Sequence, residues 1–170
     1  REARIFRSPR SYNSQLGVAL SLLMLDNNYD VAIIEAGISQ KGEMERLRAM
    51  IEPDMVIFTS IGDAHSANFR SIEQKIEEKL KLALTANTII YSREYQALAE
   101  KIAMHYAERE LIDSSREVVD DVLELSDALS VDALHVAALM RRLGYGVDGA
   151  IFSAKVAMRL ELKEGIDNSM

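Results

Sequence analysis

Two short apolar runs, each ending in residues that can carry chemistry, constrain the fold of this chain more than any other feature. Val31-Ala32-Ile33-Ile34 stops at Glu35-Ala36-Gly37, and Met55-Val56-Ile57-Phe58 stops at Thr59-Ser60-Ile61-Gly62-Asp63-Ala64-His65. Apolar runs of this length, bounded by turn formers, read as buried strands, and Glu43 to Met50 between them has helical spacing. Strand, helix and strand with connections this short fit a right-handed parallel crossover. In an open α/β sheet ligands bind at the carboxyl ends of the strands, which is where Glu35 and His65 fall.

The alternation continues on both sides. Gln15 to Leu25 reads as a helix with Leu16, Leu20, Leu23 and Met24 on one side and Asn13 or Ser14 as its N-cap. Phe6 to Asn13, ahead of it, is polar and turn-prone. After Ser71 the positions Ile72, Ile76, Leu80 and Ala83 recur at helical spacing, and Thr88 to Tyr91 follows as a strand. Glu94 to Ala107 is a further helix, Leu111-Ile112 a short strand, and Val131 to Leu143 a helix that Gly144 ends. Asp148 to Lys155 reads as a shorter helix, and Val156 to Lys163 alternates like a half-buried strand. Arg116 to Leu125 matches no element well. Methionines such as Met24, Met55 and Met140 read as core filler. The pattern predicts an α/β fold, doubly wound, with a mostly parallel sheet flanked by helices, in one domain across residues 1–170.

Charge narrows the partners. A net charge of -7 leaves no basic surplus to neutralise phosphates, so neither nucleic acid nor an anionic membrane surface is expected as a partner. Cysteine is absent, which fits a reducing, cytoplasmic setting and excludes thiolate chemistry. The longest apolar stretch, Leu16 to Leu25, is too short to span a bilayer. The chain opens on Arg1 with no signal-peptide pattern and no initiator Met, and it reads as an excised piece.

Several motifs occur together and in order: Ser8-Pro9-Arg10-Ser11-Tyr12-Asn13-Ser14-Gln15-Leu16-Gly17-Val18, Glu35-Ala36-Gly37 followed by Gly42-Glu43-Met44, Ile61-Gly62-Asp63-Ala64-His65 with Phe69 and Ser71, and Glu78-Lys79-Leu80. In this arrangement the chain resembles the central domain of the Mur ligases, which build the peptidoglycan stem peptide. It is most similar to the members that add D-alanyl-D-alanine to a UDP-N-acetylmuramoyl tripeptide, including the form fused to an alanine racemase. The likeness runs from about Phe6 to Arg109 and again from Leu125 onward.

The resemblance implies an ATP-dependent ligase that phosphorylates a peptide carboxylate and lets an incoming amine displace phosphate, with Mg²⁺ as the metal. It implies Glu35 and His65 as magnesium ligands, and Lys79 as a catalytic lysine that binds the metal once carbamylated. Asn13 and Ser14 would meet the UDP-N-acetylmuramoyl peptide, and Arg159 would lie near ATP. N- and C-terminal ligase domains would complete the enzyme. The family's phosphate loop, a Gly-rich turn ending in Gly-Lys-Thr or Gly-Lys-Ser, is not among these residues, so the chain by itself is expected not to hydrolyse ATP. The Asp-x-Tyr-Asn element is missing too, the Arg109 to Leu125 region is compressed, and Asp132 stands where an Asn is expected.

Plainer readings stand beside these. Glu35 could cap the turn that follows it, and His65 could be a hydrogen-bonded surface imidazole. Lys79 has Lys75, Ile76, Leu82 and Ala83 one turn away, so any carboxylate partner comes from elsewhere, with Glu35 and Glu43 as candidates. His105 and His135 sit in helices and are assigned no chemistry. Two other functions stay open: a non-catalytic binding or assembly module presenting the charged helix Glu43 to Arg48, and an amide ligase similar to folylpolyglutamate synthetase.

Overall fold

The computed structural model describes residues 3–61, 68–118 and 127–147. His65, Arg159, the expected helix from Asp148 to Lys155 and the expected strand from Val156 to Lys163 lie outside the described residues. Strand β1 (Ile5–Arg7) leads through α1 (Gln15–Leu23) to β2 (Val31–Ile33), and α2 (Glu43–Ile51) leads to β3 (Met55–Ile57). Helix α3 (Ile72–Leu80) and a 3-10 turn (Lys81–Leu84) precede β4 (Thr88–Tyr91). Helix α4 (Gln96–His105), β5 (Glu110–Asp113), a 3-10 turn (Ser114–Arg116) and α5 (Asp127–Arg142) follow among the described residues.

Among the described residues all strand pairing is parallel, as the α/β alternation requires, but it falls in two sheets. β1 pairs with β2, and β3 with β4 and β4 with β5. The expected pairing of the second and third strands across α2 is therefore not formed; each pairs with another neighbour. β1 is itself a correction, because Ile5-Phe6-Arg7 lies at the edge of the segment read as polar and turn-prone. Its register is held by Asp30, whose carboxylate accepts from the Arg4 backbone N–H at 3.0 Å and from the Arg4 guanidinium at 3.3 Å.

Among the described residues the core has two parts. Val56, Phe58, Ile76, Leu80, Ile89 and Ile102 pack one face of the three-stranded sheet against α3 and α4, which lie side by side on it, and Val18, Ile38, Met44, Leu47 and Phe69 join α1 to α2. Leu82 touches both. Helix α1 corrects the simple amphipathic reading: its Leu16 and Leu23 are 71% and 82% exposed, with Leu20 and Met24 also outward, while Gly17, Val18 and Ser21 face inward. The inner face is small because the chain passes very close to it at Tyr12, and Ser21 is satisfied by donating to the Gly17 carbonyl at 2.9 Å. Met24 is thus not core filler, whereas Met55 and Met140 are half-buried. No helix among the described residues is long and apolar enough to cross a membrane.

Two local features carry predictions. Glu52, the C-cap of α2, has a left-handed φ of 45° with its N–H donating to Arg48 at 2.8 Å. Glycine adopts this conformation without the Cβ penalty, so Glu52→Gly is expected to stabilise the chain by roughly 0.5–1 kcal/mol in urea unfolding, the steric relief outweighing glycine's entropy. His135 on α5 is buried, and Ser114 Oγ lies 2.8 Å from its Nδ1 while donating to the Tyr91 carbonyl at 3.1 Å. The hydroxyl's one proton is therefore used, so Nδ1 carries the imidazole proton and Nε2 is bare, with no partner among the described residues. Burial pushes the His135 pKa below its ordinary 6.5, against a smaller opposing pull from Asp132. The fold thus favours neutral imidazole; its contribution is complete above pH 6.5 and is lost as the pH falls below that value. The urea midpoint should drop between pH 7.5 and 5.5, and His135→Asn, which keeps the donor toward Ser114 without titrating, should flatten that drop.

Candidate functional site

Glu35 lies two residues beyond the end of β2, and four contacts fix the backbone around it. Its own N–H donates to Ser8 Oγ at 3.1 Å, the Gly37 N–H donates to the Asn13 carbonyl at 2.8 Å, and Asn13 Nδ2 donates to Glu35 Oε1 at 2.8 Å. A Cβ on Gly37 would sit 3.1 Å from the Asn13 side chain, which explains the small residue there. The fourth contact is the N-cap of α1, where Ser14 Oγ accepts from the Gly17 N–H at 3.3 Å. Asn13 and Ser14, singled out in the sequence for substrate, here orient a carboxylate and start a helix. One Glu35 oxygen is held by the Asn13 amide, and the carboxylate is exposed.

The turn after Gly37 is closed by Glu43. Its carboxylate accepts from the Ser39 N–H at 2.6 Å, the Gln40 N–H at 3.0 Å and the Ser39 hydroxyl at 3.1 Å, and these bonds hold its pKa below the ordinary carboxylate value. Asn68 Nδ2 donates to the Ser39 carbonyl at 2.9 Å. Glu43 is therefore committed to the turn and Glu35 to Asn13, and neither is ion-paired with Lys79. The partner expected for that lysine is not supplied by either candidate.

Lys79 arrives from α3, whose N-cap Ser71 accepts from the Gln74 N–H at 3.3 Å. Its side chain is half-buried and lines a small cavity with Ala36, Met44, Phe58, Thr59 and Leu82. Ala36 is the residue after Glu35, and Thr59 lies just beyond the carboxyl end of β3. The cavity thus opens between the carboxyl ends of β2 and β3, with Lys79 closing it from the helix side. Burial lowers the Lys79 pKa, and the Lys75 charge one turn away lowers it further. Among the described residues no carboxylate answers it.

An ammonium has three donors and no lone pair, so Lys79 as it stands cannot bind a cation. Its desolvation favours the neutral amine, which has a lone pair. No group of three or more His, Asp or Glu among the described residues could hold a metal ion by itself. Thr59 offers a hydroxyl in the lining and Glu35 a carboxylate one residue before Ala36, and Lys79 fits a magnesium site only in an acylated, anionic form. Sequence reasoning did not single out Ala36, Met44 or Thr59 as cavity walls; only their places after β2, at the start of α2 and after β3 could have flagged them.

Comparison with known proteins identifies the family of the chain. The chain is 32% identical over 79 residues to the UDP-N-acetylmuramoyl-tripeptide--D-alanyl-D-alanine ligase of Bacillus subtilis (strain 168), covering 46% of this chain and 17% of that protein. It is 33% identical over 79 residues to the enzyme of the same name from Borreliella burgdorferi, with the same coverage. Among solved structures, MurF from Acinetobacter baumannii superposes with a TM-score of 0.71 at 16% identity, over 87% of this chain and 38% of that one. MurF ligase from Thermotoga maritima in complex with ADP gives 0.67 at 18% identity, over 86% and 41%. The chain spans only about a sixth of the curated relatives it matches and about two fifths of those structures. The Mur ligase middle domain model matches residues 1–124, well over half of the 170, and the chain belongs to that family.

Proposed function

We infer that this chain is the central part of a longer ATP-dependent amide ligase that adds D-alanyl-D-alanine to a UDP-N-acetylmuramoyl tripeptide in peptidoglycan precursor synthesis. The observation that carries the reading is Lys79: a desolvated lysine without a carboxylate partner among the described residues, facing a cavity whose opposite wall begins one residue after Glu35. A structural lysine would be paired or solvated. The curated relatives named for this reaction support the substrate assignment, and a cytoplasmic setting follows, since ATP and the nucleotide-linked precursor are found there.

In this reading the neutral Lys79 amine attacks carbon dioxide, forming an N–C bond and releasing one proton, and becomes a carbamate with two oxygens. Glu35 and that carbamate would hold Mg²⁺, with His65 as a further ligand; magnesium, when bound, neutralises the crowded phosphate oxygens of ATP. Asn13 keeps the Glu35 carboxylate aimed by donating to one oxygen and leaving the other available. The peptide carboxylate attacks the γ-phosphorus and ADP departs; the D-alanyl-D-alanine amine then attacks the acyl carbon, phosphate leaves and the amine loses a proton. Arg159 and Ser14 are retained as contacts for ATP and for the nucleotide-linked peptide.

The test is product formation by the longer ligase. With ATP, magnesium, UDP-N-acetylmuramoyl tripeptide and D-alanyl-D-alanine, one ADP and one phosphate should appear per amide bond formed. Phosphate release that ignores both peptide substrates would refute the assignment.

A further inference from the structure

The carboxylate of Glu78, one residue before Lys79 on α3, is only 2% exposed. One of its oxygens accepts from the Gly42 N–H at 2.6 Å, and the other is paired with Lys81 Nζ at 2.8 Å. Burying a carboxylate is costly unless each oxygen is answered, and here both are. Lys81 lies on the turn that directly continues α3, so that pair ties nothing across the fold. The bond to Gly42 does.

Gly42 is the N-cap of α2, with φ of 89° and no side-chain cap of its own. In a capping box a Glu two positions beyond the first helical residue reaches back to the cap's N–H. Here Glu45 holds that place without doing so, and Glu43 is turned back to Ser39 and Gln40. Glu78 supplies the missing acceptor from a different helix. The segment it seizes runs from Glu35 to Met44, whose Ala36 and Met44 form the cavity wall facing Lys79. Asn13 pins the other end of that segment.

We propose that Glu78 is a positioning residue, whose hydrogen bond from α3 to the Gly42 N–H holds the Glu35 segment at a fixed distance from Lys79. The proposal rests on the reading of Glu35 and Lys79 as the metal end of the site. It assigns Glu78 no contact with substrate.

The experiment follows the ¹⁵N,¹³C-labelled 170-residue chain by NMR, comparing wild type with Glu78→Ala, Glu78→Gln and Lys81→Met. Gln keeps an oxygen for Gly42 without the charge, and Met at 81 keeps the carboxylate without its cation. In Glu78→Ala the Gly42 amide should exchange at least about tenfold faster, and the Met44 and Ala36 methyl signals should shift. Glu78→Gln should leave these signals near wild type, a rescue that general loss of stability would not produce, whereas Lys81→Met, which leaves one buried oxygen unanswered, should lower overall stability while Gly42 keeps its protection relative to its neighbours. Unchanged Gly42 exchange in Glu78→Ala, or equal disturbance in all three variants, would overturn the proposal. Should Glu78→Ala not fold, Gly42 protection in Glu78→Gln supports the proposal and its loss overturns it. Adding Mn²⁺ separates the two levels: if wild type shows no broadening near Glu35, the metal reading fails, whereas the Gly42 and Met44 signals still decide the role of Glu78.

Discussion

On the proposed role of Lys79, Lys79→Ala in the longer ligase should lose at least about 100-fold of its amide-forming rate, which is about 2.7 kcal/mol of transition-state stabilisation. The substitution leaves a hole of defined shape between Met44, Phe58 and Leu82, next to the segment that carries Glu35. A small carboxylate that diffuses into that hole supplies the oxygens the carbamate would have supplied. Acetate should therefore restore part of the rate, and bicarbonate should stimulate wild type but not the variant. Full activity in Lys79→Ala, indifferent to bicarbonate, would make Lys79 an ordinary cation whose burial is incidental.

Gly17→Ala should unfold more easily by about 2 kcal/mol, lowering Tm by roughly 4–8 °C. Two effects compete. Alanine gains about 1 kcal/mol over glycine inside a helix. Against this, the new Cβ would lie 2.7 Å from Tyr12 Cα and 2.8 Å from the Tyr12 carbonyl carbon, backbone atoms that no rotamer change can move aside. Overpacking of this kind costs about 1–3 kcal/mol, and a backbone clash sits at the upper end or above, so the clash wins. Because Asn13 follows Tyr12 directly, the same shift should disturb the Asn13 to Glu35 hydrogen bond. Thermal unfolding and the Asn13 side-chain amide signals check the two parts; an unchanged Tm would contradict the close approach.

How much of this was legible in the sequence depends on the element. β3 and β4 were readable from their apolar runs, since buried parallel strands have no polar face to confuse the pattern. The short β5 could be placed from Leu111-Ile112 for the same reason. β1 escaped because three residues between Arg4 and Ser8 are too few for any period to show, and its pairing with β2 depends on the distant Asp30. Strand order was not legible either: the alternation implies parallel strands but does not say which edges meet, and β2 and β3 were paired in expectation because they are consecutive. In α1 the leucines misled. Burial there follows the close passage of Tyr12 over Gly17, which hydrophobicity cannot register. At the site, the spacing of Lys79 already excluded a carboxylate one turn away, and the structure gives both proposed partners other work. The hydrogen bonds from Asn13 to Glu35 and from Gly42 to Glu78 join residues 22 and 36 positions apart, distances over which a single sequence carries no signal.

The central claim is that Glu35 and Lys79 share one metal ion. Mn²⁺ titrated into the longer ligase with ADP and bicarbonate should broaden the ¹³C side-chain signals of both residues together, at one stoichiometric equivalent, and Glu35→Ala should abolish the broadening at Lys79. Broadening of Glu35 alone, with Lys79 unaffected at saturating metal, would contradict it.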